Sequence, residues 1–176
     1  MRKILIVIDM QNDFIDGALG TKEAEAIVPA VIEKIRSYAP DDIYATRDTH
    51  SEEYPETQEG RLLPVPHCIR GTDGWQIRPE IMALLSEDRI IDKPSFGSPD
   101  LAETMKRLAG DALGRDMKIE LCGLCTDICV VSNALLIKAF LPEAEVRVDP
   151  ACCAGVTPEA HEAALSVMRS CQVLVG

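Results

Sequence analysis

Five side chains that could do chemistry follow short apolar segments of the chain. Asp9 ends the run KILIVI, Asp48 and His50 come just after DIYAT, Lys93 comes just after RIID, and Cys129 follows KIELC by a few residues. Carboxylate, imidazole, ammonium and thiol groups transfer protons, bind metals or attack carbonyl carbons. Each of the five also has an ordinary structural explanation on its own. Their chemistry therefore depends on whether the fold brings them together.

The carboxylate, the ammonium and the thiol form a coherent set for acyl transfer. A thiol reacts as thiolate, and both a helix start around Cys129 and the ammonium of Lys93 would favour that form. Asp9 could accept the thiol proton and later pass it to a leaving amine. The backbone N–H groups of Cys125 and Cys129 could hold a developing oxyanion. These residue types predict a hydrolase with a cysteine nucleophile.

The elements that must position these groups alternate between strands and helices. Repeated β-α units predict a parallel sheet with right-handed crossovers and helices on both faces. We therefore expect one α/β domain over residues 1–176, a three-layer α/β/α fold with a six-stranded, mostly parallel sheet. Ligands of such sheets bind beyond the carboxyl ends of the strands, where all five side chains fall. The predicted strands cover 3–8, 42–46, 89–92, 118–122, 145–148 and 171–175, and the predicted helices 22–38, 79–85, 98–110, 126–140 and 158–169.

Composition excludes several classes of partner. The formal charge is −11, with 29 acidic against 18 basic residues, and no basic cluster is present, so nucleic acid is not an expected partner. Asp9 interrupts the apolar N-terminal run, and no stretch approaches the roughly 18 apolar residues of a membrane span. We expect a soluble, cytoplasmic protein without membrane contact. Seven cysteines, an odd number, favour reduced thiols over a disulfide framework.

Several segments together resemble a known family, in the family's order. The chain resembles the isochorismatase-like cysteine hydrolases and, within them, the nicotinamidase branch. The resemblance implies the triad Asp9, Lys93 and Cys129, with the backbone of Cys125 as an oxyanion donor beside a cis peptide at Leu124–Cys125. The matching segments are IVIDMQNDF at 6–14, ATRDTH at 45–50, PHCIRGTDGW at 66–75, DKPSFGS at 92–98, CGLCTDICVVSNA at 122–134 and TPEAHEAALSVM at 157–168.

The resemblance also implies one divalent metal ion, held by Asp48, His50 and His67. Zinc, iron and manganese all suit such a mixed oxygen and nitrogen set with open positions. Glu59 lies in the same long polar segment, 47–75, and could add a carboxylate.

The substrate pocket departs from the family in one place. Phe14 matches an aromatic residue that stacks on the substrate ring, and Phe96 is expected to line the same pocket. Pro64 stands where nicotinamidases often carry a second aromatic residue. Trp75, the only tryptophan, is expected to close a loop instead of touching the substrate.

The expected function is a metal-assisted amidase that releases ammonia from a small carboxamide, with nicotinamide as the leading substrate. The nearest alternative is a related cysteine hydrolase of another small amide, ureido or carbamoyl compound, which the absent aromatic at Pro64 favours. A third is a non-catalytic metal or thiol module. The resemblance further implies a homo-oligomer, a dimer or larger.

Overall fold

The sheet has six strands in the order β3-β2-β1-β4-β5-β6, and every pairing is parallel. The computed structural model describes all 176 residues. It confirms the predicted α/β class, although the sheet is parallel throughout rather than mostly so. The strands are β1 Arg2–Ile8, β2 Ile43–Asp48, β3 Ile90–Lys93, β4 Met117–Leu124, β5 Glu145–Ala154 and β6 Leu174–Val175.

Seven helices connect the strands, together with a π-helical turn at Thr126–Val130. Helix α2 packs with α1 and α4, while α5, α6 and α7 pack side by side. These two groups form the helical layers of the predicted three-layer fold. The helices are α1 Asn12–Ile15, α2 Lys22–Arg36, α3 Gln58–Leu62, α4 Pro79–Met82, α5 Pro99–Ala109, α6 Val131–Phe140 and α7 Pro158–Ser170.

Strand β1 is buried on both faces because helices cover both sides of the sheet. Ile4 to Ile8 are at most 1% exposed, as a continuous apolar run predicts. Over α2, the buried residues Ala24, Ile27, Val31 and Ile35 follow the helical spacing seen in the sequence. The chain passes from β1 to β2 and β3 on one side, and then to β4 on the other side of β1. The strand order therefore reverses between β1 and β4, which is where open parallel sheets form their ligand crevice.

Some predicted boundaries were wrong, and two of the shifts matter for the site. Asp48 and Lys93 are the last residues of β2 and β3, whereas the sequence placed them just beyond the strands. Their backbones are fixed by the ladder, which pairs Asp48 with Lys93. The predicted helix 126–140 begins as the π-helical turn and becomes an α-helix only at Val131. The polar segment 47–75 also contains α3, which the sequence did not predict.

None of the helices is both long and apolar enough to cross a membrane. The cytoplasmic location and the homo-oligomeric state expected from the sequence remain predictions.

Candidate active site

Three strand ends and the π-helical turn bring Asp9, Lys93 and Cys129 together. Asp9 directly follows β1 and takes a positive φ of 46°. Lys93 ends β3, and Cys129 lies in the turn that follows β4. All three are buried, with relative exposures of 0% for Asp9, 1% for Lys93 and 5% for Cys129. The convergence expected from the strand order is therefore present in the structure.

The Lys93 ammonium is the centre of the cluster. Its Nζ lies 2.8 Å from Asp9 Oδ2, 3.2 Å from Asp48 Oδ1 and 3.4 Å from Cys129 Sγ. It also donates to the carbonyl of Ser95 at 2.9 Å. Burial alone would lower the pKa of Lys93, but Asp9, Cys129 and Asp48 raise it above its ordinary value. The group is a permanent buried cation that links the carboxylate, the thiol and Asp48.

Burial of the Cys129 thiol opposes the stabilised thiolate that the sequence predicts. Burial raises the pKa of Cys129 well above its ordinary value, and Asp9 raises it further, while Lys93 opposes the shift. Burial also raises the pKa of Asp9, against the effect of Lys93. A carboxylate with a raised pKa is a stronger base for a nearby thiol. Both shifts suit proton transfer from the thiol to the Asp9 carboxylate.

Two polar residues that the sequence analysis did not single out hold the triad in place. Thr46 Oγ1 donates to Asp9 Oδ1 at 2.6 Å, which fixes the carboxylate against β2. Asn133 Nδ2 donates to the carbonyls of Cys129, at 2.8 Å, and Phe96, at 3.1 Å. Both residues lie within the segments that carry the family resemblance, 45–50 and 122–134. Their place within these segments was the only feature of the sequence that pointed to a role in the site.

The turn that carries Cys129 begins at Cys125. The peptide between Leu124 and Cys125 is cis, as the resemblance implied. The N–H of Cys125 donates to no acceptor within the protein. This N–H is thus available to a ligand, as an oxyanion donor must be.

A second cluster, made of Asp48, His50 and His67, lies beside the triad. One ligand atom from each residue lies within 4.8 Å of the other two. Asp48 joins the two clusters, because its Oδ1 faces Lys93 and its Oδ2 lies 2.9 Å from His50 Nε2. Burial would raise the pKa of Asp48, but His50 and Lys93 hold it below its ordinary value. Two imidazoles and an ionised carboxylate are a suitable donor set for zinc, iron or manganese.

Hydrogen bonds outside this cluster orient its donors. His67 Nδ1 lies 2.9 Å from the carbonyl of Val65, which places the proton on Nδ1 and leaves the Nε2 lone pair free to bind a metal. Gln11 holds the Asp48 backbone from both sides, since its Nε2 donates to Asp48 O and its Oε1 accepts from Asp48 N. Glu59 Oε1 lies 3.7 Å from the Nε2 atoms of both histidines. The residues present therefore fit a bound divalent ion.

Aromatic rings enclose the two histidines, and one of them was not expected. Tyr54 is 1% exposed, and its ring centroid lies 4.8 Å from that of His50 and 5.0 Å from that of His67. The Phe14 ring lies 5.5 Å from His67 on the other side. No pattern in the polar segment 47–75 distinguished Tyr54, because its burial depends on α3 folding over it.

Three further residues of the sequence analysis, Pro64, Trp75 and Phe96, differ in exposure and contacts. Pro64 is exposed. Trp75 closes a loop as expected, since its Nε1 donates to Thr49 Oγ1 at 2.8 Å and its ring lies 3.8 Å below the Arg47 guanidinium. The Phe96 side chain is 45% exposed, on the loop that Asn133 ties to Cys129.

Known proteins are similar to this chain in sequence and fold over nearly their whole length. The chain is 28% identical over 177 residues to PncA, an uncharacterized isochorismatase family protein of Bacillus subtilis strain 168, with 94% of this chain and 93% of that protein covered. The pyrazinamidase of Pyrococcus horikoshii, solved in complex with zinc, is 30% identical with a TM-score of 0.80, over 100% of this chain and 99% of that one. The pyrazinamidase/nicotinamidase of Streptococcus mutans UA159 is 28% identical with a TM-score of 0.82, over 99% of both chains.

The family match extends over nearly the whole sequence. The isochorismatase domain matches residues 3–176, from the start of β1 to the last residue. The resemblance drawn from the sequence segments is therefore confirmed, and the chain belongs to the isochorismatase family.

Proposed function

We propose that the protein is a metal-assisted cysteine amidohydrolase that releases ammonia from a small carboxamide, with nicotinamide as the first substrate. The observation that carries this proposal is the position of the Lys93 ammonium, which contacts Asp9, Asp48 and Cys129 at once. This contact supports the proposal because it brings a thiol and a carboxylate next to a set of possible metal ligands. The pyrazinamidase and nicotinamidase relatives support the same reaction class.

In the proposed reaction, Asp9 takes the proton of the Cys129 thiol as the sulfur attacks the carboxamide carbon. The oxygen of the tetrahedral intermediate receives hydrogen bonds from the N–H groups of Cys125 and Cys129. Asp9 then gives its proton to the leaving nitrogen, so that the C–N bond breaks and ammonia leaves a thioester on Cys129. Lys93 stays protonated throughout and offsets the negative charge of whichever partner is ionised.

The thioester is then hydrolysed by water. Asp9 takes a proton from the water as its oxygen attacks the thioester carbon. The C–S bond breaks, the thiolate recovers the proton, and the carboxylic acid leaves. The sum of the steps is one amide and one water converted to one acid and one ammonia.

We propose that Asp48, His50 and His67 hold the divalent ion, with Glu59 as a further carboxylate at the rim. When bound, the ion supplies a Lewis acid that can hold a ring nitrogen of the substrate and so orient the ring. Phe14 packs beside this set and Phe96 borders the loop next to the nucleophile, so we assign both to the substrate pocket.

One observation favours a second candidate, a hydrolase of a small ureido, carbamoyl or other amide compound. Pro64 is exposed, and Trp75 is held by Thr49 and Arg47, so neither supplies a second ring to stack on a pyridine. A substrate without an aromatic ring would bind equally well without a second stacking ring in the pocket. Such compounds therefore belong in the same assay.

The test is ammonia release from nicotinamide by EDTA-treated enzyme with zinc, manganese or iron(II) restored. We expect turnover by the wild type, and a loss of at least about a thousandfold in Cys129→Ala because the nucleophile is gone. Cys171→Ala is the matched control, since Cys171 is exposed and distant in sequence from the site. No nicotinamide turnover with any metal, but turnover of a carbamoyl compound, would establish the second candidate. Activity that survives in Cys129→Ala would remove the cysteine mechanism, and a wild type inert towards every compound would favour the non-catalytic module.

A further inference from the structure

The turn that carries Cys129 is held from outside its own helix. Its first residue follows Cys125, whose side chain makes no capping hydrogen bond. The two polar side chains at the start of the turn, Thr126 and Asp127, both point to the segment that follows β5. The position of the nucleophile therefore depends on contacts with a part of the chain that contributes nothing to the triad or to the metal-binding set.

Two side-chain contacts make this connection. Asp127 Oδ1 accepts from the N–H of Val156 at 3.0 Å. Thr126 Oγ1 lies 2.8 Å from Nδ1 of His161, in the first turns of α7. Thr126 is fully buried, and this is the one side-chain hydrogen bond that its hydroxyl makes. A buried hydroxyl that loses its partner carries a desolvation cost, and this cost favours a displacement of the turn that relieves it.

The junction is also tightly packed at Gly155. A Cβ added there would lie 2.8 Å from the backbone nitrogen of His161 and 3.0 Å from Asp127 Oδ1. Only a residue without a side chain lets α7 approach the turn this closely. The ring of His161 also borders an outer cavity of about 320 Å³, so substitutions of this residue need not disturb the core.

We infer that His161 is a positioning residue for Cys129, acting through the hydroxyl of Thr126. The inference rests on the proposed function, in which Cys129 is the nucleophile. Thr126 lies between Cys125, the proposed oxyanion donor, and Cys129 itself. A displacement of about 1 Å in a reacting group lowers the rate by up to about a hundredfold, while substrate binding at the other side of the pocket is unaffected. His161 therefore acts on kcat and leaves KM unchanged.

The experiment uses three variants chosen by shape. His161→Phe keeps a ring but removes the nitrogen, and Thr126→Val keeps the shape but removes the hydroxyl. His161→Asn loses the ring but keeps a polar atom near the position of Nδ1. Two quantities are measured: kcat and KM for nicotinamide, and the rate at which iodoacetamide alkylates Cys129, located by mass spectrometry. The alkylation rate needs no substrate, so it decides the inference even if nicotinamide proves to be the wrong amide.

We expect His161→Phe and Thr126→Val each to lower kcat and the alkylation rate about tenfold, with KM within twofold of the wild type. His161→Asn should keep at least half of both rates. A double variant that combines His161→Phe with Thr126→Val should be no slower than either single variant, because both changes remove the same hydrogen bond. Glu162→Gln, which borders the same outer cavity, is the control and should match the wild type. If His161→Asn is as slow as His161→Phe, or if the two losses multiply in the double variant, the inference is overturned. If His161→Phe does not fold, Thr126→Val decides alone, and wild-type values of kcat and of the alkylation rate in that variant would overturn the inference.

Discussion

Replacing Lys93 by methionine removes the one cation between two buried carboxylates. Methionine has a similar length and fills the same space with an apolar chain. Asp9 and Asp48 would then lie at 0% and 4% exposure without the ammonium now 2.8 and 3.2 Å from their oxygens. Breaking a buried ion pair by removing one partner costs about 3–5 kcal/mol. We expect Lys93→Met to lower the free energy of unfolding by that amount at pH 7, out of a typical total of about 5–15 kcal/mol.

The pH dependence follows from the direction of the shifts. Burial raises the pKa of Asp9, and losing the ammonium raises it further. A carboxyl whose folded pKa lies above its unfolded value loses folded-state stability as pH rises from the unfolded pKa through the folded one. The pKa of Asp48 is lowered in the wild type. This shift stabilises the folded protein at pH values above the unfolded pKa of Asp48, and the stabilisation is lost as pH falls below that pKa. The Asp9 effect therefore shrinks the difference between variant and wild type as pH falls from 7 towards 4, whereas the Asp48 effect acts only at pH below the ordinary pKa of that carboxyl.

A second substitution gives the sharpest test, because its effect should change sign. Asp9→Asn in the wild type breaks the ion pair and destabilises the protein. In the Lys93→Met background the same change removes an uncompensated buried charge, so it should restore at least about 1 kcal/mol. Lys118→Met is the surface control: its ammonium lies 3.0 Å from Glu145, its side chain is 39% exposed, and its loss should cost under about 1 kcal/mol.

The assay is urea unfolding in EDTA at pH 5 and pH 7, followed by the fluorescence of Trp75. This is the only tryptophan, and its ring lies under Arg47 in the folded state, so its emission reports on native structure near the site. If Lys93→Met unfolds within about 0.5 kcal/mol of the wild type at pH 7, the ion-pair reasoning is refuted. It is refuted equally if Asp9→Asn makes that variant less stable.

Two further substitutions test the residues that orient the site. Thr46→Val removes the hydroxyl that lowers the pKa of Asp9. The acid limb of the plot of kcat/KM against pH should therefore move to higher pH. An unmoved limb would show that Asp9 is not the group that titrates there. Gln11→Met leaves the backbone N–H and carbonyl of Asp48 without their partner, so zinc affinity, measured by chelator competition, should fall about 10- to 100-fold. The exposed Gln58→Met is its control, and equal affinities in the two variants would contradict the role given to Gln11.

The location of the site was predictable because its residues follow the carboxyl ends of predicted parallel strands. An apolar run long enough for a buried strand predicts a strand, and parallel strands bring their carboxyl ends to one edge. Asp9, Lys93 and the residues after β2 could therefore be grouped before any contact was known. The exact strand ends could not, since the ladder bonds that extend β2 to Asp48 and β3 to Lys93 depend on neighbouring strands.

Burial inside irregular segments was not predictable, and it changes the chemistry. Nothing in the polar segment 47–75 indicated that Tyr54 would be buried against two histidines, because that burial requires α3 to fold back over it. The same limit applies to the thiol pKa of Cys129. A helix start and a nearby ammonium both lower a thiol pKa, whereas the burial of Cys129, which the sequence did not reveal, raises it. Burial also raises the pKa of Asp9, which makes its carboxylate a stronger base than it would be in water. In the proposed reaction the thiol proton therefore needs to move only to the adjacent Asp9 carboxylate as the sulfur attacks the substrate carbonyl.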